Sequence, residues 1–76
     1  MTSALGERLR EQRLRRGLTQ FELARKLNPN ATSGLVISKW ENGRSHPSAE
    51  GLRRLQAAGL NVNFILKGLD DVAQVD

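Results

Sequence analysis

Glycines at positions 17, 43, 59 and 68 cut this chain into short pieces, and each follows a stretch with helical patterning. Glycine enters the left-handed conformation that ends a helix without the clash other residues meet. Gly17, Gly59 and Gly68 are each followed by leucine, the apolar residue that commonly accompanies a Schellman ending. Helices are therefore expected near residues 3–16, 19–27, 33–42, 48–58 and 61–67. Candidate N-caps stand at the opposite ends: Thr2 or Ser3, Thr19, Ser48 and Asn61. No segment alternates apolar and polar residues over the length of a strand, and neither a repeat nor a domain linker is visible. A chain of 76 residues has room for one core and buries about 60% of its unfolded surface. One domain over residues 1–69 is expected, with a loose, disordered tail over 70–76.

The second and third segments carry the clearest chemistry. Thr19 stands three residues before Glu22, the capping-box spacing in which each side chain satisfies the other's backbone N–H. Behind it Leu23, Ala24 and Leu27 fall on one stripe, which leaves Gln20 exposed on the first turn. There its amide, beside the free N–H groups of the helix, suits a phosphate. Ile37 and Trp40 share a face of the next segment by i, i+3 spacing, and Asn42-Gly43 supplies a stop. That segment is short enough to enter a DNA major groove. Two such helices in succession read as a DNA-reading helix-turn-helix.

Five phrases occur in order: Gly17-Leu18-Thr19-Gln20, Glu22-Leu23-Ala24, Ile37-Ser38-Lys39-Trp40-Glu41-Asn42-Gly43, Pro47-Ser48 and Ile65-Leu66-Lys67-Gly68. Together they resemble the lambda-repressor/Cro-like (XRE-type) helix-turn-helix family, from about Leu5 to Gly68. No phrase is specific alone; the signal is their order. The resemblance implies an all-α fold, a compact five-helix lambda-repressor-like DNA-binding domain with the helix-turn-helix formed by helices 2 and 3. Arg13 and Glu41 read alone as surface charges, whereas in similar proteins the residues at these positions pair beneath the DNA-binding face. The resemblance also assigns Gln20, Ser38, Lys39, Asn42 and Arg44 to clamping the DNA backbone, contacts that position a protein without specifying sequence. Asn42 has a second reading, since Asn-Gly is also simply a helix ending. Base contacts are implied for Ser33, Gly34, Leu35 and Lys39. Gly34 has no side chain to read with, and Leu35 can touch only a thymine methyl.

The chain departs from the family between the two helices. Leu27 and Ile37 are ten positions apart, more than the family's usual spacing, so the turn over residues 28–34 is extended. Asn28 stands where a glycine is expected, and asparagine accepts the left-handed conformation better than most residues. Either the longer turn projects Asn30, Thr32 and Ser33 toward the groove as further base or phosphate contacts, or it bulges away and packs, for example on Phe21. The first alternative is preferred.

Charge is unevenly placed. Net charge is +4, and residues 1–44 hold nine Lys/Arg against four Glu, while residues 45–76 hold three against four acids. The basic half is the half with the motif, which suggests a polyanion partner. Arg8, Arg10, Arg15, Arg16 and Arg25 add long-range attraction or are plain solvated charges. The chain has no cysteine, no apolar run near the roughly 20 residues that span a bilayer, and no secretory pattern. A bacterial cytoplasm or nucleoid is the expected location, with no membrane partner.

The same periodicity defines a core. Leu5 and Leu9 belong to the first helix, Leu52 and Leu55 to the fourth, and Leu60, Val62, Ile65 and Leu66 close the end, all meeting Leu18, Leu23, Leu27, Ile37 and Trp40. Trp40 invites a base-stacking role, but its stripe with Ile37 assigns it to the core. Phe64 exceeds what one buried stripe requires, and is either a dimer contact or a core residue.

No nucleophile with a base, no paired carboxylates and no phosphate-cradling glycine loop points to an enzyme. The lone His46 gives a metal little support, and no cofactor is expected. One small helix-turn-helix grips a half-site weakly, so a homodimer on double-stranded, pseudo-palindromic operator DNA is expected. The leading expectation is a sequence-specific transcriptional regulator, a small phage- or plasmid-type repressor. The alternatives are the antitoxin of a toxin–antitoxin pair, holding a toxin or another regulatory protein, and a protein-interaction module that has lost base readout.

Overall fold

The computed structural model describes residues 4–67, and among these all regular structure is helical. In chain order the helices are α1 (Ala4–Arg15), α2 (Gln20–Leu27), α3 (Leu35–Glu41), α4 (Ala49–Ala57) and α5 (Val62–Lys67). The all-α, five-helix expectation holds, with every described end within two residues of its expected place. The expected cap at Thr2 or Ser3, the ending at Gly68 and the tail over 70–76 lie outside the described residues.

Local chemistry accounts for where the helices start and stop. The Glu22 N–H donates to Thr19 Oγ1 at 3.0 Å and the Thr19 N–H donates to Glu22 Oε1 at 2.9 Å, a complete capping box. Ser48 Oγ accepts from the Gly51 N–H at 3.1 Å, and Asn61 Oδ1 from the Phe64 N–H at 3.0 Å. At the other ends Gly17, Gly43 and Gly59 have φ of 69°, 76° and 98°. The next residue in each case reaches back: Leu18 N–H to the Arg13 carbonyl, Arg44 to Lys39 and Leu60 to Leu55, at 3.2, 2.9 and 3.1 Å. These are Schellman endings, and they let each helix stop within its turn.

Leu9, Leu23, Ala24, Ile37, Trp40, Leu55, Leu60 and Ile65 form the buried core, edged by Leu5, Leu18, Leu27, Leu52 and Val62. Helix α1 packs across α3 and α5, α2 packs on α3 and α4, and α4 meets α5. The Trp40 ring is buried, and Gly51 makes room for it: a Cβ there would stand 3.2 Å from Trp40 Cη2. Gly6 allows a closer approach, since a Cβ on it would overlap the Glu41 carbonyl where α1 crosses the end of α3. Leu66 departs from expectation and remains 39% exposed. Successive helical residues point about 100° apart, and Ile65 has taken the inward position.

Several arginines expected to be solvated or generally attractive charges instead close helix ends. The last carbonyls of a helix lack intrahelical partners, and a guanidinium can satisfy them from a distant segment. Arg8 donates to the carbonyls of Ile65 and Leu66 at 3.0 and 3.1 Å. Arg16 donates through Nε and Nη2 to the Gly59 carbonyl, the former at 2.8 Å. Arg54, for which the sequence carried no expectation, likewise reaches the Leu27 carbonyl at the end of α2, at 3.2 Å. Arg25 donates to the Ala31 carbonyl at 3.3 Å and lies 5.7 Å above the Phe21 ring.

Candidate nucleic-acid interface

The α2–α3 pair is fixed from beneath by a buried charge pair. Arg13 Nε and Nη2 donate to the two carboxylate oxygens of Glu41 at 2.7 and 3.1 Å, a bidentate arrangement with both side chains almost wholly covered. Arg13 Nη1 also donates to the Leu18 carbonyl at 2.8 Å. Gln20 completes the cluster: its Nε2 donates to Glu41 Oε1 at 3.1 Å. Gln20 is thus half-buried rather than fully exposed, and it ties the first turn of α2 to the last of α3. An amide nitrogen carries two hydrogens, so one N–H of Gln20 remains for an outside acceptor.

The turn over residues 28–34 is ordered by its own side chains. Asn28 has φ −143° and ψ 106°, extended rather than left-handed as expected. Pro29 explains this, because the proline ring pushes the preceding residue into the extended region. Asn28 Oδ1 accepts from the Asn30 N–H at 3.0 Å, and its carbonyl accepts from the Ala31 N–H at 2.9 Å, closing a tight turn. Ala31 packs on the core while Asn30, Thr32 and Ser33 remain exposed. Phe21 is not covered by the turn. Ser33, expected in the first turn of α3, precedes it; its Oγ accepts from the Leu35 N–H at 3.3 Å. Gly34 lies against the start of α2, where a Cβ would come within 2.7 Å of the Phe21 nitrogen and 2.8 Å of Gln20. The glycine therefore sets how closely the two helices meet.

Above this base the first turn of α3 is open to solvent. Leu35 is 58% and Val36 43% exposed, large values for apolar side chains. They share a groove with Thr32, Ser33, Lys39 and Arg44. Ser38 and Leu35 also line a narrower groove toward Gln20 and Phe21. Asn42 is exposed at the far end of α3, its Nδ2 donating to Ser38 Oγ at 3.3 Å. The expected DNA-contacting residues thus gather on one side, except Asn30, which stands in its own tight turn and lines none of these grooves. Phe64, on α5, is half-buried and belongs to neither groove. Val36 was missed by the sequence reading. Its signal was an apolar residue adjacent to Ile37 that the Ile37–Trp40 stripe does not need.

Seven arginines, Arg8, Arg13, Arg15, Arg16, Arg25, Arg53 and Arg54, each have a hydrogen bond or ion pair within the chain. Arg10, Lys26, Lys39, Arg44 and Lys67 have no side-chain partner among the described residues, and of these Lys39 and Arg44 line the groove of Leu35 and Val36. An unpaired cation beside an exposed groove is an arrangement suited to a polyanion. No group of His, Cys, Asp or Glu able to hold a metal ion occurs among the described residues, and no described helix is long and apolar enough to cross a membrane.

The comparisons with known proteins agree with this geometry. Residues 4–61 match the helix-turn-helix domain family. Among solved structures, the chain is similar to the DNA-binding domain of the P22 C2 repressor, determined in solution by nuclear magnetic resonance and compared there with that of the 434 repressor. Identity is 30%, the TM-score is 0.73, and the match covers 100% of this chain and 95% of that one. No curated protein sequence matches.

Proposed function

Because this chain belongs to the helix-turn-helix domain family, we propose that it is a sequence-specific transcriptional regulator, a small repressor of the phage or plasmid type that binds operator DNA as a homodimer. The observation that carries this reading is the juxtaposition of an exposed apolar pair, Leu35 and Val36, with the unpaired Lys39 and Arg44 in one groove. Apolar side chains at the start of a recognition helix meet thymine methyl groups in the major groove, while flanking cations meet phosphates. The similarity to the repressor's DNA-binding domain supports the same use of the fold. In this reading Thr32, Ser33 and Leu35 approach base edges, and Gln20, Ser38, Lys39, Asn42 and Arg44 hold the backbone. Phe64, half-buried on a helix that also exposes Leu66, supplies the dimer contact.

Selection of bound duplexes from a random DNA pool tests the proposal. Enrichment of a two-fold-symmetric motif, with half-sites about one helical turn apart, is the expected outcome. No enrichment at moderate salt overturns it and favours the second reading, a protein-interaction module, for which the exposed Phe21, Leu35 and Val36 are the supporting observation.

A further inference from the structure

The chain holds five asparagines, at positions 28, 30, 42, 61 and 63, and their backbone surroundings differ. An asparagine side chain loses ammonia when the backbone nitrogen of the next residue attacks its amide carbon, so the next residue decides the reaction. Asn28 precedes Pro29, whose nitrogen carries no hydrogen. Asn30 precedes Ala31, whose N–H is held by the Asn28 carbonyl at 2.9 Å. Asn61 precedes the β-branched Val62, and its Oδ1 holds the Phe64 N–H, the nitrogen that follows Asn63. Asn42 alone is followed by glycine. Gly43 has no side chain to crowd the approach, and its N–H is held loosely, by the Trp40 carbonyl at 3.3 Å. Asn42 itself is exposed.

We infer that Asn42 is a site of spontaneous deamidation, and that the Schellman ending of α3 is the gate that sets its rate. The Gly43 nitrogen forms a bond to Asn42 Cγ, the Cγ–Nδ2 bond breaks, and ammonia leaves with the Gly43 proton, closing a cyclic imide. Water then opens the ring. Cleavage between Cγ and the Gly43 nitrogen gives aspartate; cleavage between the Asn42 main-chain carbon and that nitrogen gives isoaspartate, with the chain running through the former side chain. Asn42 lies at φ −91° and ψ 2°, where the Gly43 nitrogen eclipses the Asn42 nitrogen and not Cβ, so ring closure requires ψ to rotate. That rotation breaks the bonds from the Gly43 and Arg44 N–H groups to the Trp40 and Lys39 carbonyls. Helix ends open locally at far less cost than the whole fold, and Gly43, at φ 76°, has no Cβ to hinder the change. Either product places a carboxylate at the C-terminus of α3, where the helix dipole disfavours negative charge. Isoaspartate also lengthens the backbone just before Arg44, one of the two cations of the Leu35–Val36 groove. On the DNA-binding reading above, on which this consequence rests, the new carboxylate faces phosphates, and ageing of the free protein switches binding off.

The test incubates the whole chain at mildly alkaline pH, folded and in urea, and locates the mass gain of amide-to-acid exchange by peptide mapping. In the folded chain Asn42 is expected to account for most of the product, as aspartate and isoaspartate together, and to react several-fold more slowly than in urea. Asn42→Gln should remove that product, because the longer side chain must close a larger, slower-forming ring. Folded-state product at Asn42 no greater than at Asn30 or Asn63 overturns the inference, and equal rates in the folded and unfolded chains overturn the gate. The consequence is read separately with Asn42→Asp on the duplex enriched from the pool. Binding should weaken by about tenfold or more at low salt, as like charges brought together require, and the difference should narrow as salt rises. Unchanged affinity of Asn42→Asp overturns the consequence, whereas a parent chain that binds no duplex overturns the DNA reading and leaves the modification to be decided by the mass measurement.

Discussion

Replacing Glu41 by alanine should come close to unfolding this domain. The carboxylate accepts three hydrogen bonds, two from Arg13 and one from Gln20, and both charged residues are buried. Truncation leaves a guanidinium covered by protein with two of its N–H groups unanswered. Breaking a buried pair from one side costs about 3–5 kcal/mol, mostly the penalty of the stranded charge. A chain of 76 residues has a total stability of about 4–11 kcal/mol by the usual per-residue range. The loss therefore takes about a quarter of it or more, and the midpoint of heat unfolding should fall by at least about 12 °C. The single tryptophan, Trp40, is itself in the core, so its fluorescence in urea reports unfolding directly. At about 1 kcal/mol per molar urea, the midpoint should drop by roughly 3 M. A double-mutant cycle with Arg13→Ala isolates the pair: the double variant should lose no more than the worse single one. Single losses below about 1 kcal/mol, or losses that simply add, would refute the reasoning, since a buried, coupled pair can give neither.

Three further outcomes are expected. Gly34→Ala should destabilise by about 1–3 kcal/mol, as overpacking does, because its Cβ would press on the Phe21 nitrogen at 2.7 Å; an unchanged urea midpoint would show that α2 and α3 can separate freely. Thr19→Ala removes the acceptor of the Glu22 N–H and should cost about 1 kcal/mol, read as a drop of several degrees in Tm. Glu50 should titrate below the ordinary glutamate range, held down first by its hydrogen bond with Arg54 and then by the charge of Arg53. Its folded-state pKa is lowered, so its contribution to α4 is present above the unfolded pKa and fades as pH falls through the folded one. A carboxyl titration followed by NMR should move back up in Arg54→Ala, and no movement would reject that cause.

The parts of this fold that could be read from sequence are those set by neighbours along the chain. Thr19 with Glu22, Ser48 with Gly51, and the three glycine endings each involve residues within a turn or so of one another, and the structure places them as expected. The missed features are products of folding. Arg8 meets Ile65 across 57 positions, and nothing in the spacing of an arginine announces which carbonyl it will find. Gly34 is required for its lack of volume, a property visible only once α2 lies against it. Asn28 shows two local rules in competition: its own tolerance of the left-handed region lost to the restraint from Pro29. On the candidate interface, Leu35, Lys39 and Arg44 were named from the family's register, and the structure places all three around one groove. Val36, in the same groove, was not named, because exposure is a property of the folded surface.

Arg13 joins more of the molecule than any pairwise description suggests. Its carbonyl receives the Schellman bond that ends α1, one side-chain nitrogen holds the Leu18 carbonyl in the turn, and the others hold Glu41 on α3, which in turn holds Gln20 on α2. Residues 20–41 are therefore not a portable unit. Transplanted without α1, they would take a buried carboxylate with them and leave its counter-charge behind. The exposed positions 35, 36 and 39 take no part in this linkage. The protein accordingly separates what can be exchanged from what cannot: the outward side chains of Leu35 and Val36 can be altered without touching this linkage, while any recombination that splits the chain between α1 and α2 parts Glu41 from its counter-charge.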